Sequence, residues 1–156
     1  MKLQTCCFTG HRKIPTGQYD DLRLRLDAAI EMMIGRGYRF FGVGGALGFD
    51  TMAALSVIKH RERYPHIKLI LVLPCISQAA HWTQKDQRLY RNIMAQANKV
   101  AYVSQEYTRS CMLERNRHLV DCSSACICYL TELYGGTAYT VQYAEKRGLK
   151  IINIAR

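Results

Sequence analysis

Three apolar runs of the sequence each lead into glycine beside small polar or basic residues. The runs cover residues 5–9, 39–43 and 125–130, and the glycines that follow them begin at Gly10, Gly44 and Gly135. A strand that ends in glycine and feeds a helix leaves free backbone N–H groups at the helix N-terminus, and such groups bind phosphate. If the three strands lie side by side, the three turns predict one anion-binding crevice.

The last turn, Gly135-Gly136-Thr137, has the strongest phosphate-binding pattern. Its two glycines allow the backbone to approach a ligand closely. Thr137 can cap the helix that follows, and its hydroxyl or that of Thr140 can donate to a phosphate oxygen. The alternative is a plain loop with a threonine N-cap.

The middle turn contains Gly44, Gly45 and Gly48. It matches neither the dinucleotide-binding pattern nor the Walker loop, so its glycines alone are weak evidence. Asp50, which follows the turn, is expected to cap the next helix, and the alternative is that it accepts a hydrogen bond from a ribose hydroxyl. We place the sugar side of the ligand here.

Two basic segments supply cations for an anion. Arg12 can bind a phosphate through two parallel hydrogen bonds, whereas its neighbour His11 has no visible partner and is more often structural. One of Arg115 and Arg117 is expected to face the crevice and the other solvent. Asn116 lies in the apolar stripe of the same helix and needs an internal hydrogen-bond partner.

Gln78 and Trp82, the only tryptophan, follow the third apolar run. Trp82 could stack on a nucleobase while Gln78 bonds the base edge. Packing of Trp82 as a core anchor at the start of a helix is an equally good interpretation.

The elements that carry these residues alternate between strand and helix. The periodicity predicts strands at 5–9, 39–43, 68–73, 99–103, 125–130 and 149–154, and helices at 18–35, 49–64, within 78–97, at 111–121 and at 137–147. Strands separated by helices pair in parallel through right-handed crossovers. We therefore predict an α/β, Rossmann-like, doubly wound, mainly parallel sheet of about six strands flanked by helices. Ligands on such sheets bind at the carboxyl ends of the strands.

Composition sets the class of protein. The chain of 156 residues predicts a single domain over 1–156, and a net charge of +10 favours anionic partners. No apolar run approaches the ~20 residues of a membrane helix, and the N-terminus has no signal-peptide pattern, so we expect a cytoplasmic protein with no membrane partner.

Seven cysteines argue against a disulfide framework. We expect neither a metal nor a cofactor, because Cys126 and Cys128 alternate as in one face of a buried strand, while His118 and Cys122 lie on a helix.

The ordered set of motifs resembles the SLOG superfamily, and most closely its YpsA-like branch. The resemblance covers essentially the whole chain, and the segments that carry it are 8–12, 44–50, 73–75 with Gln78 and Trp82, 115–117 with Asp121 and Ser123, and 135–140. It implies a ligand crevice formed by the first, second and last glycine turns.

Relatives in that superfamily imply different functions. They include the Rossmann domain of DprA, which binds single-stranded DNA, and the LONELY GUY phosphoribohydrolases, which cut the N-glycosidic bond of nucleoside monophosphates. Residues 112–116 resemble the M-x-E-R-K segment of these hydrolases, which marks Arg115 as the matching arginine. Tyr134 stands in place of their proline, and the next acid after the glycines is Glu145, so their paired glutamates are absent.

The sequence thus predicts a protein that binds a nucleotide or a nucleotide-derived phosphate ligand. Absence of the paired glutamates favours binding over catalysis. A single-stranded nucleic-acid-binding module and a nucleoside monophosphate N-glycosidase are the alternatives. Relatives in the superfamily often pair as dimers. The resemblance therefore adds a homodimer to the expectations, although no residue of the sequence identifies an interface.

Overall fold

The computed structural model describes residues 1–155, which form six strands and five α-helices in strict alternation. Short 3-10 turns at Lys2–Gln4 and Thr16–Gln18 precede the first strand and the first helix. The elements are β1 (Thr5–Gly10), α1 (Tyr19–Gly35), β2 (Phe40–Val43), α2 (Phe49–Arg63), β3 (Lys68–Leu73), α3 (Gln84–Gln96), β4 (Lys99–Tyr102), α4 (Cys111–Asp121), β5 (Ala125–Tyr129), α5 (Gly136–Lys146) and β6 (Lys150–Asn153).

All six strands pair in parallel, in the order β4-β3-β2-β1-β5-β6. The register sets Cys7 of β1 beside Gly42 of β2 and Cys126 of β5. This architecture confirms the predicted Rossmann-like fold. The predicted strands agree with it to within one residue at each end, because buried parallel strands appear in a sequence as short, almost continuous apolar runs.

Helices cover both faces of the sheet. Cys6 and Phe8 of β1 point into a core shared with α1, α2 and α3, whereas Cys7 points into a second core shared with α4 and α5. Successive strand residues point to opposite faces, so every central strand must be apolar on both sides. Among the described residues, no helix combines the length and the apolarity needed to cross a bilayer.

The cysteines lie where the alternation predicts. Cys126 and Cys128 are buried in β5 and face α4 and α5. His118 and Cys122 come together at the end of α4, where the Sγ and Nε2 atoms are 3.8 Å apart. Within residues 1–155, no three His, Cys, Asp or Glu side chains are grouped closely enough to hold a metal ion.

The strand order reverses between β1 and β5. Strands β2, β3 and β4 follow one another on one side of β1. The chain then passes through α4 to β5, which pairs with the other side of β1. Loops that leave β1 and β5 diverge at this point and open a crevice at the carboxyl ends of the strands. Since β2, β1 and β5 are neighbours, the three glycine turns that follow them meet at one edge of the sheet.

Candidate functional site

A crevice of about 330 Å³ lies at the reversal point. It is enclosed by the loop after β1, the first turn of α2, one face of α4 and the first turn of α5. Of the residues singled out in the sequence, those that line it are Gly10, His11, Arg12, Asp50, Arg115, Asn116, Gly135, Gly136 and Thr137. Its volume falls in the range of small-molecule sites, about 300–1,000 Å³.

The N-terminus of α5 opens into this crevice. Gly135 is the N-cap, with a φ of +96° that favours glycine, and no side chain caps the helix. Thr137 is therefore the second helical residue and not the cap, contrary to the expectation from the sequence. The first hydrogen bond of the helix runs from Tyr139 N to Gly135 O (3.0 Å), which leaves three N–H groups without a helical acceptor. Apart from the adjoining backbone, no heavy atom lies within 4 Å of a Cβ built at Gly135 or Gly136.

Thr140 lies one turn deeper in α5 and does not line the crevice. Its Oγ1 donates to Gly136 O at 2.8 Å, and the residue is only 3% exposed. The hydroxyl hydrogen is thus used inside the helix, and of the two threonines only Thr137 presents a side chain to the crevice.

The glycine turn after β2 is closed by the protein itself. A Cβ at Gly44 would lie 2.7–2.9 Å from the Arg115 side chain, and one at Gly45 would lie 2.4 Å from Leu73 Cδ2. A Cβ at Gly48 would meet the backbone of Arg12. These three glycines therefore serve close packing and do not line the crevice. They bring Arg115 and Arg12 to its edge.

Asp50 lies in the first turn of α2, whose N-cap is Gly48. Its Oδ2 accepts from the N–H of Ala46 at 3.1 Å, while Thr51 Oγ1 donates to the carbonyl of Ala46 at 3.0 Å. The carboxyl thus fixes the preceding turn and does not cap the helix as expected. Because Phe49 N donates to His11 O (3.1 Å), the start of α2 already has protein partners.

Arg115 forms the buried floor of the site and is 4% exposed. Its Nη1 donates to the carbonyl of Gly44, and its Nε donates to Asn116 Oδ1 at 2.7 Å. Asn116 thereby has the internal partner that its position requires. Arg117 is exposed, so Arg115 is the arginine that faces the crevice.

Burial acts against both charges on this floor. It raises the pKa of Asp50, although the Arg115 guanidinium and the Ala46 N–H hold that pKa down in part. It lowers the pKa of Arg115, which the carboxylate of Asp50 opposes. Arg12 is a second cation near both groups, since it lowers both pKa values. Arg115 is therefore poorly solvated, and its electrostatic interactions are strong, whereas Arg12 is exposed.

The two guanidinium groups converge on one sulfur atom. Arg12 Nη2 and Arg115 Nη2 lie 3.8 Å and 3.7 Å from Met112 Sδ. A thioether is a weak acceptor, so these donors are available to a stronger one. An anion bound between them would gain two charge-assisted interactions.

His11 holds the loop after β5. Its Nε2 accepts from the N–H of Thr131 at 3.0 Å, and its ring packs edge-on against Tyr129 with centroids 5.4 Å apart. An imidazole nitrogen that accepts from a backbone N–H is unprotonated. His11 thus joins the loops after β1 and β5, which form two walls of the crevice.

Gln78 and Trp82 lie outside the crevice. Gln78 Nε2 donates to Tyr90 Oη at 3.1 Å, and the rings of Trp82 and Tyr90 pack edge to face with centroids 5.1 Å apart. This geometry is that of packing between α3 and the segment before it. Trp82 lines a separate small cavity there with Gly45.

Six crevice residues were not among the candidates from the sequence: Thr9, Ala46, Met112, Leu113, Glu132 and Tyr134. Met112 could have been found from helical spacing, because it lies three residues before Arg115 on the same face of α4. Tyr134 directly precedes the last glycine turn, and its position at the mouth of the crevice, 74% exposed, shows that its ring is accessible to a ligand.

Asp50→Asn is expected to change how stability depends on pH. The folded state raises the pKa of Asp50, so it binds more protons than the unfolded state between the ordinary pKa, about 3.9, and the raised value. As pH rises across that interval, the wild-type free energy of unfolding should therefore fall relative to that of the variant. The fall is about 1.4 kcal/mol for each pH unit that separates the two pKa values. Urea unfolding of both proteins from pH 3.5 to 7 measures the difference, in which the other carboxyls cancel. A difference that is constant, or that favours the wild type as pH rises, would contradict it.

The family model described as the YspA SLOG family matches residues 6–153. The chain is also similar to the UPF0398 protein of Bacillus velezensis, with 24% identity over 155 residues that cover 93% of this chain and 85% of the relative. The UPF0398 protein of Bacillus pumilus is 29% identical over 128 residues, which cover 80% of this chain and 67% of the relative.

Two solved structures share the fold. One is DNA processing protein A from Helicobacter pylori, from work on its single-stranded DNA binding mode. It matches with a TM-score of 0.68 and 19% identity and covers 96% of this chain. The other is DNA processing protein A (DprA) from Streptococcus pneumoniae, with a TM-score of 0.69, 15% identity and the same coverage. The chain spans 64% and 50% of those two proteins.

Proposed function

The chain belongs to the YspA SLOG family, and from the geometry of its crevice we propose that it binds a nucleotide or a nucleotide-derived ligand through a phosphate group. The observation that carries this proposal is that the open N-terminus of α5 and two arginines line one crevice. Gly135 and Gly136 leave space beside the free N–H groups, and Arg12 and Arg115 converge on Met112 Sδ.

The phosphate binds at the first turn of α5. The backbone N–H groups of that turn and the Thr137 hydroxyl donate to its oxygens, and the helix dipole favours negative charge there. Arg12 and Arg115 neutralise the opposite side of the phosphate. No charged side chain has to move far, because both guanidinium groups already face the crevice.

The nucleobase binds at Tyr134 and not at Trp82. Tyr134 lines the crevice beside Gly135 and is 74% exposed, whereas Trp82 packs on Tyr90 away from it. An exposed aromatic ring next to an anion site offers a surface on which a base can stack.

A thermal-shift screen tests the proposal. The four ribonucleoside 5′-monophosphates, the corresponding diphosphates, cyclic nucleotides, ADP-ribose and inorganic phosphate are each added to the full chain. A ligand that binds only the native state raises the melting temperature with its concentration. We expect nucleotides to shift it more than inorganic phosphate does. No shift with any of them at millimolar concentration would refute nucleotide binding.

Thr137→Val is expected to weaken binding of the 5′-monophosphates about tenfold, because one hydrogen bond to a charged group is lost from a backbone that otherwise stays in place. Thr137→Ser retains the hydroxyl and is the matched control. Isothermal titration calorimetry on the two variants and the wild type measures the effect. Equal affinities of the valine and serine variants would mean that the Thr137 hydroxyl does not contact the phosphate.

Single-stranded DNA binding is the second candidate, and the fold shared with DNA processing protein A favours it. The net charge of +10 suits a polyanion. Binding to a strand displaces counterions, so the affinity falls steeply as the salt concentration rises. The slope of log affinity against log salt concentration is about proportional to the number of phosphate contacts. Fluorescence anisotropy with a labelled oligonucleotide, repeated from 50 to 300 mM salt, distinguishes this from binding of a single nucleotide. The DNA hypothesis requires an affinity that increases with strand length.

A further inference from the structure

The crevice contains a carboxyl group that phosphate binding alone does not require. Asp50 is 7% exposed, and its remaining surface lines the same crevice as Arg12 and Arg115. Its Oδ2 accepts from Ala46 N, whereas its Oδ1 accepts no hydrogen bond from residues 1–155. The protein does not enclose Oδ1, so a donor on a ligand in the crevice can reach it.

An ionised carboxylate repels phosphate, so Asp50 does not hold the phosphate itself. A neutral donor on the ligand suits Oδ1 better than a phosphate does. A hydroxyl is such a donor, because it donates to a carboxylate and can also accept from a protonated carboxyl.

We propose that Asp50 binds a hydroxyl of the ligand's ribose, so that the crevice selects ribonucleotides over deoxyribonucleotides. This inference rests on the proposed function. It also separates that function from DNA binding, since DNA lacks the 2′-hydroxyl.

One crevice joins the two positions. Asp50 follows β2 and the start of α5 follows β5, and these strands flank β1. Asp50, Gly136 and Thr137 all line the crevice, so one ligand in it can contact both α2 and α5.

Asp50 also fixes the turn after β2, so its effect on the loop has to be separated from its effect on the ligand. An asparagine keeps an oxygen that can accept from Ala46 N, while it changes the charge and adds an N–H₂ donor. Loss of the loop contact would weaken ribonucleotides and deoxyribonucleotides alike. Loss of a hydroxyl contact changes the ratio of their affinities.

The experiment is isothermal titration calorimetry with matched pairs: AMP and dAMP, GMP and dGMP, CMP and dCMP. We expect the wild type to bind each ribonucleotide at least about tenfold more tightly than its deoxy partner, as for one hydrogen bond to a charged group. In Asp50→Asn this ratio should fall below about threefold. Asp20→Asn, which removes an exposed carboxylate on α1, is the control and should keep the wild-type ratio. The 3′-deoxy form of AMP identifies which hydroxyl is bound. If it loses as much affinity relative to AMP as dAMP does, Asp50 recognises both hydroxyls of the ribose.

The outcomes distinguish the two proposals. Equal binding of each pair by the wild type overturns selection by Asp50 and leaves nucleotide binding intact. An unchanged ratio in Asp50→Asn also overturns it, whatever happens to the absolute affinity. If no 5′-monophosphate binds, nucleotide binding fails, and selection by Asp50 fails with it. If Asp50→Asn does not fold, Asp50→Ser takes its place, and the same fall in the ratio is expected.

Discussion

Replacing Arg115 with methionine is expected to weaken binding of the ribonucleoside 5′-monophosphates by at least about 100-fold. A hydrogen bond to a charged group contributes about 1.5–3 kcal/mol, and this guanidinium is 4% exposed, where water screens little of its charge. The change also removes the cation that does most to lower the pKa of Asp50, so the pKa of this buried carboxyl rises further. Methionine has an unbranched chain that suits α4.

Arg117→Met is the matched control for this experiment. Arg117 lies two residues further along the same helix, is exposed, and has its guanidinium 5.9 Å from the centre of the Tyr139 ring. Both variants lose one positive charge, so their long-range fields change alike. Calorimetry at a fixed ionic strength should show less than about a threefold change for the control. Equal losses in the two variants would mean that net charge and not the crevice governs affinity.

Most of the fold could be predicted because its signals are local. Lys68–Leu73 is a short aliphatic run that ends at a proline, and Cys111–Asp121 is a single amphipathic helix, and both were predicted with the bounds that the structure has. The convergence of the glycine turns follows from topology, since the carboxyl ends of neighbouring parallel strands share one edge of a sheet.

The roles of the individual glycines could not be predicted, because they depend on contacts between distant segments. In the sequence the turns after β2 and β5 each begin with two adjacent glycines. In the structure Gly44 packs on a side chain 71 residues away, while Gly136 faces open space. The same limit applies to Trp82: only the position of Tyr90 on α3 shows that its ring packs against another aromatic side chain. Tyr134 was noticed only as the residue in place of a proline, because exposure, which makes it a stacking surface, cannot be read from a loop sequence.

Gly48→Ala is expected to destabilise the protein by at least about 3 kcal/mol. The residue has a φ of +78° and a ψ of −120°, a conformation that is strained for any residue with a Cβ. The added Cβ would also lie 2.1 Å from the carbonyl oxygen of Arg12, so one of the two backbones must move. That shift would break the hydrogen bond from Phe49 N to His11 O, which joins α2 to the loop after β1. Urea unfolding monitored by circular dichroism measures the loss.

Gly35→Ala separates backbone strain from a general effect of removing glycine. Gly35 ends α1 without a positive φ, and nothing lies within 4 Å of its added Cβ. Alanine there should leave stability unchanged or raise it by up to about 1 kcal/mol. A loss of less than about 1 kcal/mol in Gly48→Ala would mean that the loop carrying His11 and Arg12 is free to move away from α2. Arg12 would then not be held in position for a ligand, and the preformed anion site would lose one of its two cations.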